Sequence, residues 1–297
     1  IPVLDPAIGK PYAEVSSSMA SDIDIAVAAA KQAFPKWMQL DVQKRSSYLT
    51  AIADQIEKRL DDFAQVESKD NGKPIWLAKQ LDIPRAVENF RFFAQLMLEP
   101  FEPLLPRADG VKHLIIRQPL GVCGLITPWN LPIYLLTWKI APALACGNTV
   151  VCKPSEITPA TAHMLCEVAQ AVDLPKGVLN IVHGTGLEVG EPLVTHKDVA
   201  LVSFTGGTTT GKAIAKSVAP SIKKTSLELG GKNSFIVHAD ANLDLSVETA
   251  IKASFLNQGE ICLCAERILV HEDILEAFTQ AFVQKTKELV VGDPQDP

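Results

Sequence analysis

The apolar run "GVCGLIT" (121–127) begins a pattern that continues almost to the end of the chain and decides the fold. Similar short runs follow it, each separated from the next by a helical stretch: "NTVVCK" (148–153), "GVLNIV" (177–182), "VALVSF" (199–204), "NSFIVH" (233–238) and "RILV" (267–270). Regular alternation of strands and helices is typical of a parallel sheet with covering helices. The sequence therefore predicts an α/β protein.

The residues before this pattern predict helices. Residues 21–34 carry apolar side chains at helical spacing, and residues 41–72 continue as a second helix that ends on Gly72. A third helical stretch, 74–98, contains Pro84, which removes a backbone donor and should break or kink the helix there.

Length and composition limit the possible functions. A chain of 297 residues predicts two domains, and its −6 net charge without a long basic run argues against nucleic acid or an anionic membrane as partner. The six scattered cysteines and the lack of a secretory signal pattern favour a reduced, cytoplasmic protein. The chain starts at "IPVLDPAIGK" and stops on the turn "VGDPQDP", and we interpret it as a piece of a longer protein.

Two glycine-rich segments are candidates for phosphate binding. The glycines of "GTGLEVG" (184–190) permit close approach of a phosphate to a helix N-terminus, although a turn that simply needs glycine is an equal interpretation. The segment "GGTTTGKA" (206–213) nearly matches a nucleoside triphosphate loop. It has Ala213 where a hydroxyl should bind Mg²⁺, so this interpretation is disfavoured. The segment still suits the pyrophosphate of a dinucleotide.

Polar residues follow two predicted strands. "VVCKPSE" (150–156) ends with Lys153 and Glu156, which could hydrogen-bond a ribose or form only a solvated charge pair. "TPWNLP" (127–132) holds Asn130 in a turn limited by two prolines. Its amide is either a donor to an oxyanion or only part of that turn.

A carboxylate and two thiols complete the candidates. Glu228, inside the apolar stretch "LELGGK" (227–232), is either a general base or a buried structural group. Cys262 and Cys264 lie one residue apart, a spacing too short for the usual zinc pair, and no second Cys or His pair follows them, so we predict no metal site. Each thiol remains either a nucleophile or a buried apolar residue.

These motifs occur in one order along the chain: WN, KPSE, GxGxxxG, FTGG, ELGGK and NQGExCxxxxR. That order resembles the aldehyde dehydrogenase superfamily over essentially all 297 residues. The resemblance implies a Rossmann-type NAD-binding domain at 1–100 and 122–229, an oligomerisation hairpin at 101–121, and the first part of a catalytic α/β domain at 230–297. It also implies a chain whose complete form is a homodimer or homotetramer.

The resemblance also assigns roles. Cys262, and not Cys264, is at the position of the family's nucleophile. Asn130 and the backbone amide of Cys262 would hold the oxyanion of the aldehyde substrate, and Glu228 would activate the hydrolytic water. The positions that would bind NAD are Thr127, Trp129, Lys153, Ser155, Glu156, Gly186, Gly190, Phe204, Gly206, Gly207, Leu229 and Gly230.

Three positions, two of them in that list, bear on the choice of cofactor or depart from the family's usual residues. Glu156 would repel a 2′-phosphate, so the resemblance favours NAD over NADP. Gly207 stands where many members carry serine, and Glu260 stands where glutamine is commoner. The Gly207 difference would weaken cofactor affinity.

The substrate class rests on three further segments. "GEICLC", "NLPIYLLTWKIAP" and "LDIPRAVENFRFF" are most similar to the branch that oxidises aminomuconic or hydroxymuconic semialdehydes. These substrates carry a carboxylate, and Arg85 in "DIPR", at the family's tunnel-facing position, is the candidate partner. An exposed arginine on a kinked helix is the other interpretation. Betaine-aldehyde-type and general aliphatic specificity also remain open.

Two other classes of function are possible. A cofactor-independent thiol hydrolase could use Cys262 and Glu228, but it would leave the glycine-rich segments and the Lys153–Glu156 pair unexplained. A non-catalytic NAD-binding relative would bind cofactor without turnover, and Cys262 would then show no unusual reactivity.

Overall fold

The first third of the chain is mainly helical. The computed structural model describes residues 1–99, 104–106, 109 and 111–296. An antiparallel hairpin is followed by helices in this order: β1 (Pro2–Asp5), β2 (Lys10–Glu14), α1 (Ala20–Gln39), α2 (Val42–Lys58), α3 (Leu60–Asn71), α4 (Ile75–Leu77) and α5 (Ile83–Leu96).

The helices differ in detail from those predicted over 41–72 and 74–98. The single helix predicted over 41–72 is wrong, because Arg59, with φ −106° and ψ 25°, separates α2 from α3. The predicted end at Gly72 is confirmed, since this residue has φ 83° and donates its N–H to Ser68 O at 2.7 Å. The break predicted at Pro84 is not found. A π-helical turn at 78–82 joins α4 to α5, Ala78, Asp82 and Ile83 keep helical φ and ψ, and Pro84 lies in the first turn of α5.

A short antiparallel hairpin, β3 (Leu104–Pro106) paired with β4 (Lys112–Leu114), separates the helices from the sheet. Residues 101–103, 107–108 and 110 of the predicted 101–121 hairpin region lie outside the described residues. After β4, Ile115 and Ile116 are exposed. The oligomer contact stays a prediction.

The central sheet has five parallel strands in the order β7-β6-β5-β8-β9. Its elements follow one another in this order: β5 (Val122–Ile126), α6 (Pro132–Ala145), β6 (Thr149–Lys153), α7 (Ala160–Ala171), β7 (Leu179–Ile181), α8 (Glu191–Thr195), β8 (Val199–Gly206), α9 (Thr208–Val218) and β9 (Lys224–Leu229). The alternating runs predict β5 to β8, whereas β9 is not among them. The predicted α/β class is confirmed.

Helices cover both faces of this sheet. The face with Cys123 and Leu125 packs in one apolar core with α2, α5, α6 and α7. The face with Val122 and Ile126 packs against α1, α8 and α9. Strands β5 and β6 are consequently buried at every position, which explains their continuous apolar sequence.

The strand order reverses at β5. The chain first builds outward through β6 and β7, then returns to place β8 on the other side of β5. In open parallel sheets, ligands bind outside the carboxyl ends of the strands at such a switch point. The candidate residues 127–130, 153–156, 206–207 and 228–230 all follow or end strands at this edge.

The remaining residues form a second, smaller β-α-β unit. Its elements are β10 (Asn233–Val237), α10 (Leu243–Phe255), β11 (Ala265–Val270) and α11 (Leu275–Lys287), with β10 and β11 parallel. Val237, Val247, Ala250 and Phe278 form its core. None of the helices in the described part of the chain has the length and apolar character needed to traverse a bilayer.

Candidate active site

The two neighbouring thiols differ in exposure. Cys262 is exposed, whereas Cys264 is buried and its Sγ lies 3.7 Å from Leu256 O. A nucleophile must reach the carbon that it attacks, so only Cys262 is placed for that role. The structure thus supports the distinction that the family resemblance draws between them.

Cys262 follows a tight turn of left-handed residues. Asn257, Gln258 and Gly259 have φ values of 53°, 57° and 78°. A Cβ on Gly259 would make a tight contact of 3.0 Å with Ser254 O, and the positive φ is one that side chains rarely adopt, so both favour glycine there. Non-glycine residues in this conformation are strained, and such strain concentrates at functional sites.

Asn233, the first residue of β10, holds the backbone around Cys262. Its Nδ2 donates to Cys262 O at 2.5 Å and to Cys264 O at 3.1 Å. One amide therefore ties both carbonyls of the nucleophile segment to the start of the second β-α-β unit.

Asn130 brings the turn after β5 to the same segment. Its Nδ2 donates to Glu260 O at 2.6 Å. A primary amide carries two N–H groups, so the contact with Glu260 leaves the second for another acceptor. The contact ties the Asn130 amide to the carbonyl two residues before the exposed Cys262, and an amide donor close to the attacked carbon is what an oxyanion requires.

Glu228 occupies an unexpected environment. Its side chain is exposed, so the alternative of a buried structural carboxylate is wrong. It lines a cavity of about 290 Å³ together with Trp138, Lys139, Ser203 and Ser226. Within the described residues no hydrogen bond joins Glu228 to the Cys262 segment, while an exposed carboxylate beside a cavity can still take a proton from water.

Lys139 was missed at the sequence level. It is buried on α6 and donates from Nζ to Ser203 Oγ at 2.8 Å. Burial lowers the pKa of Lys139 to about 8, and the charge of nearby Glu228 acts in the opposite direction. A single lysine in the apolar helix "NLPIYLLTWKIAP" was the available signal.

Lys153 and Glu156 form an ion pair at the carboxyl end of β6. Lys153 Nζ lies 2.5 Å from Glu156 Oε2, and Lys153 is only 5% exposed. The pair is therefore not simply a solvated charge pair. Between them, Ser155 is buried and accepts the Ile157 N–H at 3.2 Å, which shapes the turn.

The other predicted cofactor residues lie along the same edge. Thr127 is buried after β5, and its Oγ1 has no hydrogen-bond partner among the described residues. Trp129 is 40% exposed, Phe204 is buried within β8, and Leu229 is half-buried at the end of β9, next to exposed Gly230.

The five candidate glycines serve different purposes. A Cβ on Gly206 would lie 2.5 Å from the Phe204 ring, so that glycine is needed for packing within the chain. A Cβ on Gly186, Gly190, Gly207 or Gly230 would meet no atom within 4 Å. Space is therefore open beside the backbone at Gly207, the N-cap of α9, and along 186–190 before α8.

This edge fits a dinucleotide. Open backbone at Gly207, the N-cap of α9, can accept a pyrophosphate. The unpartnered hydroxyl of Thr127 and the Lys153–Glu156 pair can hydrogen-bond hydroxyl groups of the cofactor. Each lies at the carboxyl edge of the same parallel sheet.

Arg85 is not part of this cluster. It lies in the first turn of α5, where its Nη1 donates to Glu88 Oε2 at 2.9 Å, and its side chain is 49% exposed. A substrate carboxylate would bind the remaining N–H groups of the guanidinium or replace Glu88. Its role stays a prediction.

Comparison with known proteins gives a consistent result. Residues 1–297 match the aldehyde dehydrogenase family. The chain is 51% identical over 294 residues to 2-aminomuconic semialdehyde dehydrogenase of Homo sapiens, covering 99% of the chain and 60% of that protein. It is 44% identical over 300 residues to 2-hydroxymuconic semialdehyde dehydrogenase of Pseudomonas sp. (strain CF600), covering 99% of the chain and 62% of that protein.

A solved structure agrees with these relatives. The crystal structure of PnpE in complex with nicotinamide adenine dinucleotide has a TM-score of 0.97 and 40% sequence identity, covering all of this chain and 61% of PnpE. The chain thus spans about three fifths of the length of the relatives that it matches. It is a member of the aldehyde dehydrogenase family.

Proposed function

We propose that the protein, in its complete form, oxidises an aldehyde to a carboxylic acid with NAD. The observation that carries this proposal is the contact of Asn130 Nδ2 with Glu260 O at 2.6 Å. It ties an amide donor at the ligand-binding edge of a parallel sheet to the segment that carries the exposed thiol of Cys262.

Cys262 acts as the nucleophile. Its sulfur attacks the aldehyde carbon and forms a thiohemiacetal, whose oxyanion accepts hydrogen bonds from the Asn130 amide and the Cys262 backbone N–H. NAD, when bound, supplies the hydride acceptor for this oxidation. The resulting thioester on Cys262 is hydrolysed by water that Glu228 deprotonates, and the carboxylic acid is released.

Lys153 and Glu156 are the residues that would hold the adenosine ribose. A carboxylate accepts hydrogen bonds from two free ribose hydroxyls and repels a 2′-phosphate, so the pair favours NAD over NADP. Thr127, Trp129, Ser155, Phe204 and Leu229 would line the same crevice. The open backbone at Gly186, Gly190, Gly207 and Gly230 would allow the cofactor to approach closely, and Gly206, packed on the Phe204 ring, would lie beside it.

The substrate class that we propose is a carboxylated semialdehyde of the muconic type. Relatives named for such substrates support it, at 51% and 44% identity. Arg85 would bind the carboxylate, since a guanidinium can form two parallel hydrogen bonds with it. Its present partner, Glu88, makes an exposed ion pair, which is weak and therefore exchangeable.

The test is NADH formation by the complete protein with 2-hydroxymuconic semialdehyde and with hexanal. We expect the native protein to prefer the carboxylated aldehyde, and Arg85→Ala to reduce that preference by about tenfold, the worth of one charged hydrogen bond. Arg91→Ala is the matched control, because Arg91 is a similarly exposed, ion-paired arginine of α5.

Each outcome has a distinct meaning. Equal turnover of the two aldehydes would retain the dehydrogenase and reject the carboxylated substrate. Absence of NADH with every aldehyde would reject the oxidation itself and favour a non-catalytic NAD-binding protein.

A further inference from the structure

A buried charged cluster lies directly behind the Asn130 turn. Glu67, Lys73 and Asp82 are each 0% exposed. Lys73 Nζ lies 2.9 Å from Asp82 Oδ1 and 3.9 Å from Glu67 Oε1. Burial raises the pKa of both carboxyls, and the charge of Lys73 opposes that rise.

Three donors from this region converge on one backbone oxygen. Asn130 O accepts from Asn257 Nδ2 at 3.1 Å, and from Asn71 Nδ2 and Lys73 Nζ at 3.4 Å each. The same oxygen belongs to the residue whose side-chain amide reaches Glu260 O. The orientation of the Asn130 amide therefore depends on groups on the opposite side of its peptide.

The segment 71–73 also contacts the turn before Cys262. Asn257, on that turn, is 2% exposed, and Gln258 Nε2 donates to Gly72 O at 2.8 Å. Burial raises the pKa of Glu260, and the charge of Lys73 opposes this effect, so Lys73 lies close enough to act on that residue. One segment thus joins the amide turn to the nucleophile turn.

The cluster is poorly suited to stability alone. Buried ion pairs are frequently no more stabilising than well-packed apolar residues. In addition, Oδ1 of Asn71, Asn130 and Asn257 and Oδ2 of Asp82 are buried without a hydrogen-bond partner among the described residues. Each such oxygen costs stability, so the arrangement needs another benefit.

We propose that Lys73 is a positioning residue for catalysis, which holds the Asn130 peptide so that its amide faces the carbon attacked by Cys262. This inference rests on the proposed aldehyde oxidation and deepens it. Glu67 and Asp82 hold the ammonium in place, and Asn257 supplies the second restraint from the nucleophile turn.

The loss of kcat expected on changing Lys73 follows from how much one hydrogen-bond donor to the oxyanion contributes to catalysis. Removal of one such donor lowers kcat by about a hundred- to a thousandfold. Lys73→Met keeps the length of the side chain and removes its charge, so it should misalign the amide and lower kcat by about ten- to a hundredfold. The KM for NAD should change less than about twofold, because the Lys153–Glu156 pair lies on a different turn.

The decisive experiment is a double-mutant cycle in the complete protein. The kcat for NADH formation is measured for the native protein, Lys73→Met, Asn130→Ala and the double variant. If Lys73 acts through the amide, Lys73→Met should lower kcat by less than about threefold in the Asn130→Ala background. Lys79→Met is the control and should leave kcat unchanged, because it removes only an exposed ion pair with Asp61 from the π-helical turn that also carries Asp82.

Asn257→Gly provides a second route, because removing Lys73 leaves two buried carboxylates and could prevent folding. Glycine accepts the left-handed conformation at position 257, and the substitution removes the donor to Asn130 O together with the buried, unpartnered Oδ1 of the same side chain. Its loss of kcat should also disappear in the Asn130→Ala background.

Several results would overturn the proposal. Lys73→Met could lower kcat as much in the Asn130→Ala background as it does in the native protein. That result would show that Lys73 does not act through the amide, and it would leave the proposed aldehyde oxidation intact. Loss of near-ultraviolet circular dichroism in both Lys73→Met and Asn257→Gly would assign the cluster to stability. Absence of NADH from the native protein would reject this inference together with the proposed function.

Discussion

The five-stranded sheet and the β10–β11 pair are covered differently. Strands β5 and β6 are buried at every position, with helices on both faces. In the described part of the chain, β10 and β11 pack one face on their small core, while Ile236 and Leu269 are 62% and 52% exposed. Burial of apolar area, and therefore stability, is concentrated in the larger sheet.

The two regions also hold their functional groups differently. In the larger sheet, Lys153 and Glu156 follow a buried strand whose backbone fixes their position. Cys262 instead lies on a turn between elements, held by side-chain amides of Asn233 and Asn130. The cofactor side of the site depends on strand ends, whereas the nucleophile depends on long-range hydrogen bonds.

The largest effect should separate the two thiols of the nucleophile segment. Cys262→Ser removes the exposed sulfur, and we expect NADH formation by the complete protein to fall by at least about a thousandfold. Cys264→Ala is the matched control. It removes a buried sulfur, so it should cost about 1 kcal/mol of unfolding free energy and leave kcat within about threefold. Equal losses of turnover in both variants would contradict the assignment.

A smaller effect concerns the free energy of unfolding, which we expect to depend on side chains of the five-stranded sheet more than on those of the β10–β11 pair. Leu125→Ala in β5 empties a site that is 1% exposed, and the free energy of unfolding should fall by about 2–5 kcal/mol. Ile236→Ala in β10 changes an exposed side chain and should cost less than about 0.5 kcal/mol. Urea unfolding followed by circular dichroism measures both. Comparable costs would show that the outer face of β10 is covered in solution.

The larger sheet is also the region that the sequence predicts best. Continuous apolar runs locate β5, β6 and β8, because these strands are buried by helices on two faces. The break at Arg59 carries no comparable signal, since it depends on how α2 packs on α5 and α3 on α7. Local periodicity describes an element, and tertiary contacts decide where it is interrupted.

Glu228 shows why an apolar neighbourhood in sequence can mislead. Successive side chains of a strand point to opposite faces, so Leu227 and Leu229 are half-buried on one face of β9 while Glu228 points to the other. The contacts of Asn233 with Cys262 and of Lys73 with Asn130 join residues 29 and 57 positions apart. No motif encodes such contacts, and only the folded chain reveals them.

The smallest effect tests whether the larger sheet contains a buried charge. Burial lowers the pKa of Lys139 to about 8 from its ordinary value of 10.5. Between these values the unfolded chain binds more protons than the folded one, so this residue makes stability rise with pH through that window. Below pH 8 both states are protonated, and the cost of the buried ammonium is fully present.

Lys139→Met removes that cost. Relative to the native chain, its unfolding free energy should be higher by on the order of 1 kcal/mol at pH 7, and the difference should shrink toward pH 10. Lys216→Met, at an exposed position of α9, is the control and should show no such trend. A constant difference from pH 7 to 10 would mean that Lys139 titrates in the folded chain as it does in the unfolded one. The sheet edge at Glu228 would then be as open to water as the outer face of β10, and the contrast between the two regions would be confined to their apolar cores.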